Sequence, residues 1–75
     1  MKTTNILLNS IEDVKNFVNL VTKYDFDVDL ISDRYVVDAK SIMGIFSLDL
    51  SKPITVKIYS EDCDAFLNEL KKFAA

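Results

Sequence analysis

Apolar and polar residues follow two different periods along this chain, and the two periods predict its strands and helices. Alternation with a period of two, or a short run of β-branched and apolar residues, is typical of a strand. Apolar residues that recur every three or four positions are typical of a helix with one buried face. The predicted strands are residues 3–8, 25–30, 34–38 and 54–59, and the predicted helices are residues 11–24, residues 41–48 and a last helix that begins after Ser60.

The order of these elements predicts the fold class. The order is β-α-β-β-α-β-α, and Ser32 with Asp33 supplies a turn that would join the second and third strands as a hairpin. This order is typical of an α+β sandwich, in which helices cover one face of a largely antiparallel four-stranded sheet. With 75 residues, of which 49% are hydrophobic, residues 1–75 are expected to form a single domain around one core.

Residue types at the helix ends predict how the helices are capped and which face is buried. Ser10 is the expected N-cap of the first helix, with Asp13 in the place of a capping-box partner, and Ser60 is the expected N-cap of the last helix. Acidic residues would then begin the last helix and lysines would end it, as the helix dipole favours. These residues are Glu61, Asp62 and Asp64 at the start and Lys71 and Lys72 at the end. The predicted buried stripes are Ile11, Val14, Phe17, Val18, Val21 and Tyr24 in the first helix and Phe66, Leu67, Leu70 and Phe73 in the last.

Charge and composition exclude several classes of function. Nine basic against twelve acidic side chains give a formal net charge of −3, without the clustered positive charge of a nucleic-acid-binding protein. No apolar run approaches the roughly 20 residues of a membrane span, so no membrane partner is expected. Asp27 and Asp29 would share an exposed strand face, but no third or fourth ligand accompanies them. We therefore expect no metal and no other cofactor.

The single cysteine, Cys63, bears on location and chemistry. One thiol allows no internal disulfide and fits a reducing compartment, which predicts a cytoplasmic protein. The chain contains no histidine that could act as a base for a nucleophilic thiol, and acidic neighbours disfavour a thiolate. Cys63 is therefore predicted to be a small packing residue.

Residues 40–48, with the sequence Lys-Ser-Ile-Met-Gly-Ile-Phe-Ser-Leu, resemble a segment of HPr, the small histidine-containing phosphocarrier of the bacterial sugar phosphotransferase system. The resemblance is clearest from residue 23 to about residue 52, and the family has the same order of strands and helices. It implies an HPr-like open-faced sandwich, with a four-stranded antiparallel sheet and three helices on one face. It also implies a connection with sugar uptake that depends on phosphoenolpyruvate.

The N-terminal third departs from the family pattern at the phosphate acceptor. The family motif Gly-Ile-His-Ala-Arg-Pro, aligned without a gap, falls on residues 8–13 of this chain. Ser10 then stands at the phosphohistidine position, Glu12 at the arginine position and Asp13 at the proline position. A serine without a base is a poor phosphate acceptor, and a carboxylate repels the incoming anion by up to about 4 kcal/mol at close range near a surface. The chain resembles, in its lost histidine, the Crh-type paralogues of HPr that act in carbon regulation.

The resemblance also implies a regulatory site and a partner-binding surface. Ser41 matches the serine that HPr kinase phosphorylates in many Gram-positive bacteria, although a helix N-cap alone also explains it. Ile42, Met43 and Phe46 match positions that dock protein partners in the family. Helical spacing predicts that these three are at least partly exposed, while Ile45 and Leu48 are buried.

These observations give one leading hypothesis and two alternatives. The leading hypothesis is an HPr-like protein without enzymatic activity, which binds a protein partner, a component of the phosphotransferase system or a transcription regulator, and is gated by phosphate on Ser41. The first alternative is a phosphocarrier that uses an acceptor other than histidine. The second is a structural or oligomeric domain, and a homodimer stays open in either case.

Overall fold

A four-stranded antiparallel sheet organises the part of the chain that the computed structural model describes, residues 1–74. Its elements are β1 (Lys2–Ile6), α1 (Ile11–Val21), β2 (Val28–Ser32), β3 (Tyr35–Asp38), α2 (Ile42–Phe46), β4 (Ile54–Ile58) and α3 (Asp64–Leu70), followed by a 3₁₀ turn (Lys71–Phe73). The predicted α+β class and the predicted order of elements are confirmed. Among residues 1–74, no helix has the length and apolar character needed to cross a membrane.

The strands lie in the order β1-β4-β2-β3, so β1 and β3 form the two edges of the sheet. The register places β2 on β4 with Val28 opposite Ile58 and Leu30 opposite Val56. All four of these side chains are buried, because residues in register share one face of a sheet. The other face carries polar residues such as Lys57 and remains open to solvent.

The core lies between this apolar face and the helices. Its largest fully buried side chains include Phe17 of α1 and Phe66 of α3. Phe17 packs edge-to-face on Phe73, with ring centroids 5.9 Å apart, and this contact joins α1 to the 3₁₀ turn. Cys63 is 2% exposed, which confirms its predicted packing role.

The first helix begins at Ile11 as predicted, but it differs from its prediction in the burial of that residue and in its C-terminal end. Its buried residues are Val14, Phe17, Leu20 and Val21, and Val18 is half-buried. Ile11, predicted in the buried stripe, is 64% exposed because it begins the helix beside an open groove rather than above the sheet. The helix ends at Val21 rather than Tyr24. Tyr24 is still partly buried, and its hydroxyl donates a hydrogen bond of 2.6 Å to Glu69.

The predicted start of the last helix was also wrong. The hydroxyl of Ser60 accepts a hydrogen bond from the Asp62 N–H at 3.1 Å, which makes a local turn instead of a helix cap. The helix therefore begins at Asp64, after Cys63, and Glu61 and Asp62 precede it. The second strand likewise begins at Val28, so residues 25–27 belong to the connection before it.

Candidate functional site

The N-terminus of α1 is capped by its own side chains. Ser10 has extended backbone angles, and its Oγ accepts a hydrogen bond from the Asp13 N–H at 3.1 Å. The Asp13 carboxylate in turn accepts one from the Asn9 N–H at 3.0 Å. This is the predicted capping arrangement, with Asn9 donating where the standard box would use Ser10 itself. Two N–H groups at this end are therefore already bonded.

Negative charge surrounds the same helix end. Glu12 and Asp13 both lie in the first turn of α1, and Glu12 is exposed. Within residues 1–74, the ion pairs join other residues, and none of them brings a cation to either carboxylate. Carboxylates at this position stabilise the helix through its dipole. The same charges repel a phosphoryl group approaching Ser10.

The short helix α2 is held against β3 by close packing at a glycine. Ser41 caps this helix, and its Oγ accepts a hydrogen bond from the Gly44 N–H at 3.2 Å. A Cβ at residue 44 would lie 3.2 Å from the Cβ of Val37 and 3.3 Å from the Ser41 Oγ. Glycine therefore lets α2 approach β3 closely. Ile45 and Leu48 are buried, as predicted, and anchor the helix to the core.

The opposite side of α2 faces solvent. Met43 is 78% exposed, Phe46 is 42% exposed and Ile42 is half-buried against the core. The exposure predicted for these three side chains is thus observed. We call Ile42, Met43 and Phe46 the α2 patch. Ser41, which precedes the patch, is exposed as well.

An open groove of about 490 Å³ connects the α2 patch with the N-terminus of α1. Its walls come from three segments of the chain: Leu8, Asn9, Ser10, Ile11, Phe46, Leu50 and Ser51. The groove brings Ser10 and Phe46 together, two residues singled out by the sequence. It does not include Glu12, Ser41, Ile42 or Met43 among its lining residues. Ile11 was predicted in the buried stripe of the first helix, and Leu50 was not singled out by the sequence analysis.

The loop after α2 is shaped by hydrogen bonds to Asp49. The hydroxyl and the N–H of Ser51 donate to the Asp49 carboxylate at 2.6 and 3.1 Å. These bonds, with a smaller contribution from the nearby Lys52 ammonium, hold the pKa of Asp49 below its usual value. The charged form of Asp49 therefore stabilises the turn that places Leu50 and Ser51 on the wall of the groove.

The basic residue next to Ser41 is engaged elsewhere. The Lys40 ammonium donates a hydrogen bond to the Tyr24 carbonyl at 3.2 Å, and the Lys40 N–H donates to the Asp38 carboxylate at 2.9 Å. Lys40 therefore joins α2 to the connection after α1. Its ammonium group is held by this contact rather than free beside the Ser41 hydroxyl.

A second concave area is lined by Asp27, Val28, Asp29, Asp38 and Tyr59. The Tyr59 hydroxyl donates a hydrogen bond to the Asp29 carboxylate at 2.9 Å. Within the described residues, no group of three side chains is arranged to hold a metal ion.

Comparisons with known proteins agree with this architecture. The family model described as "PTS HPr component phosphorylation site" matches residues 13–75. The match begins at Asp13, after Ser10 and Glu12, which the resemblance aligns with the histidine and the arginine of the family motif. A search of curated protein sequences finds no significant match.

Two solved structures resemble the chain closely. The crystal structure of HPr-C-His from Thermoanaerobacter tengcongensis is 25% identical, with a TM-score of 0.80 over 96% of this chain and 89% of that one. The phosphocarrier protein HPr from Bacillus anthracis str. Ames shares the fold, with 23% identity and a TM-score of 0.76 over 99% of this chain and 96% of that one. With a family model that spans most of its residues, the chain belongs to the HPr family, the phosphocarriers of the phosphotransferase system.

Proposed function

We propose that this HPr-family protein is not a phosphocarrier that passes a phosphoryl group on, and that it acts instead by binding a protein partner. The α2 patch is the proposed docking surface, and carbon regulation in the cytoplasm is the proposed context. The observation that carries the proposal is the exposure of Met43, 78%, on a helix whose other side is anchored in the core.

The chemistry at the N-terminus of α1 argues against a phosphocarrier. A phosphoryl acceptor needs a nucleophile that is activated at neutral pH, and the chain has no histidine to supply one. Ser10 is the residue at that end, and its hydroxyl caps the helix without a neighbouring histidine that could act as a base. The carboxylate of Glu12 would oppose the negative charge of the donor.

The composition of the exposed surface argues for a protein partner. Methionine and aromatic residues are enriched in the buried centres of protein interfaces. Phe46 belongs both to the α2 patch and to the groove, so an apolar surface continues from Met43 towards Ile11 and Leu50. Contiguous apolar surface of this kind on a small protein is typical of an interaction site.

We propose Ser41 as the site of regulatory phosphorylation. Its hydroxyl is exposed and directly precedes the α2 patch. A phosphate there would add roughly 1.5 to 2 negative charges beside an apolar surface. Such a modification selects a partner in which a basic side chain adjoins an apolar pocket. Intact-mass analysis of the protein isolated from its own host would detect this phosphate, and peptide mapping would assign it to Ser41 or to another residue.

Phosphoryl transfer is tested directly with labelled phosphoenolpyruvate and the general enzyme of the phosphotransferase system. We expect no acid-labile label on this chain, while a histidine-containing HPr in the same assay becomes labelled. Label on this chain would favour the alternative, a phosphocarrier with an acceptor other than histidine.

Docking is tested by replacing the most exposed residue of the α2 patch. Met43→Asp should reduce capture of the partner from host lysate at least tenfold, because a carboxylate would be buried in an apolar contact. Stability should change by no more than about 0.5 kcal/mol, since the side chain is exposed. Asn68→Asp adds the same charge on the exposed surface of α3 and serves as the matched control. Equal capture by both variants would contradict docking through the α2 patch.

A further inference from the structure

The outer edge of β3 is open and carries apolar side chains. Within the described residues, β3 pairs only with β2. The other edge strand, β1, also forms an antiparallel β-bridge between Ile6 and Ala74. Tyr35 is 66% exposed and Val36 is 60% exposed. An unpaired strand edge with apolar side chains is a template for pairing with another strand.

The hydrogen bonds between β2 and β3 identify which backbone groups of β3 point outward. The Ala39 N–H donates to the Val28 carbonyl at 2.9 Å, directly after the last paired residues of β3. Hydrogen-bonded and non-bonded residues alternate along an antiparallel pair. The backbone N–H and carbonyl groups of Tyr35 and Val37 therefore point to β2, whereas those of Val36 point to the open edge. The Asp38 N–H points to the same edge, and the Asp38 carbonyl accepts a hydrogen bond from the Ser41 N–H at 3.0 Å.

This edge is complementary to itself. If two copies of β3 run antiparallel about a twofold axis at Val36, the N–H and carbonyl of Val36 bond to the same groups of the second copy. The Asp38 N–H then meets the Arg34 carbonyl of the second copy, and the reverse bond forms by symmetry. The Asp38 side chain of each copy then lies opposite the Arg34 side chain of the other copy, so the dimer contains two arginine–aspartate pairs.

The charges within one copy leave both partners of this pair without a counterion. Asp38 lies opposite Asp29 in the register of β2 and β3, an arrangement of like charges that is unfavourable. Lys57 lies opposite Asp29 on the other side, so no cation is in register with Asp38. Arg34 takes part in none of the ion pairs formed by residues 1–74.

We propose that a second copy of this chain pairs with β3 in this register and extends the sheet across a twofold axis. The proposed partner is a second copy of the chain because the β3 edge carries both Arg34 and Asp38, which would pair with each other. The same edge carries the Val36 N–H and carbonyl, which would bond to those of the second copy. The contact is independent of the α2 patch and of the proposed function. The opposed strands are short, so the dimer is expected to be weak and to form at high protein concentration.

The test uses charge exchange and sedimentation equilibrium over a range of concentrations. Arg34→Glu and Asp38→Lys each turn two attractive pairs into two repulsive ones, and each should raise the dissociation constant of the dimer by about tenfold. An equimolar mixture of the two variants should associate at least as well as the unmodified chain. In the mixed dimer, Glu at position 34 meets Lys at position 38, and the native Asp38 meets the native Arg34.

A backbone variant tests the same contact without changing charge. Val36→Pro removes an N–H that faces the open edge, so the strand can stay paired with β2 while the dimer is lost. Circular dichroism establishes that each variant is folded. A chain that stays monomeric at millimolar concentration would overturn the proposal. So would a dimer that Arg34→Glu does not weaken, or a mixture that associates no better than either variant alone.

Discussion

Replacing Ser10 by alanine tests whether this residue is a helix cap. The Ser10 Oγ accepts a hydrogen bond from the Asp13 N–H at 3.1 Å, and alanine has no atom that could accept it. The N–H would then have to find water in the first turn of α1. Loss of such a cap costs about 1 kcal/mol, within a range of roughly 0.5 to 2 kcal/mol.

That cost is a large part of the stability available to this chain. A chain of 75 residues has a free energy of unfolding of roughly 4 to 11 kcal/mol. Its entropy of unfolding is about 0.16 kcal/mol per kelvin, from the usual value per residue. A loss of about 1 kcal/mol therefore lowers the melting temperature by about 6 °C.

Thermal and urea unfolding, followed by circular dichroism, measure this change. Ser10→Thr keeps a hydroxyl acceptor and should stay close to the unmodified chain, while Ser10→Gly should cost only a few tenths of a kcal/mol. If Ser10→Ala and Ser10→Thr melt at the same temperature as the unmodified chain, Ser10 does not act as a cap. The hydrogen bond between its hydroxyl and the Asp13 N–H would then contribute nothing to the stability of the fold.

Two further predictions concern the titration of Tyr24 and the reactivity of the Cys63 thiol. The hydrogen bond to Glu69 raises the pKa of Tyr24 above its ordinary value of 10.0. This contact therefore stabilises the folded state below pH 10.0. The stabilisation is lost as the pH rises through the higher pKa of the folded state. Tyr24→Phe should therefore remove the ionisation of this hydroxyl above pH 10.0 from a spectrophotometric titration, and an unchanged titration curve would contradict the assignment. Cys63, only 2% exposed, should react with a thiol reagent far more slowly in the folded chain than in denaturant, and equal rates would show that the core opens at this point.

The architecture could be predicted from the sequence because local pattern and topology agree. Alternation such as Ile54, Val56 and Ile58 identifies a strand with one buried face, and the structure places all three in the core. Ser10 and Ser41 were recognisable as caps for the same reason, since a cap depends only on residues within one helical turn. Features decided within a few residues were thus the ones predicted well.

Features that depend on several segments could not be predicted in this way. Ile11 lies three residues before Val14, so its spacing is that of a core residue, yet it faces a groove formed with Phe46 and Leu50. The start of α3 failed for a different reason, because two local arrangements compete there. Ser60 is a good cap by type, but its hydroxyl bonds to an N–H only two residues ahead, and this competing turn delays the helix to Asp64.

The cap of α1 and the position of α2 depend on different contacts. The proposed loss of phosphate transfer at α1 is therefore compatible with binding of a protein partner at the α2 patch. At the N-terminus of α1, the Ser10 hydroxyl accepts from the Asp13 N–H and the Asp13 carboxylate accepts from the Asn9 N–H. None of these bonds reaches α2, which is positioned by the close contact of Gly44 with Val37 and by buried Ile45. The residues at the N-terminus of α1 can therefore differ from those of a phosphocarrier while the exposed face of α2 keeps its place. Only the groove between them is shared, and its walls are mainly apolar, so a partner that docks there need not recognise phosphate at α1.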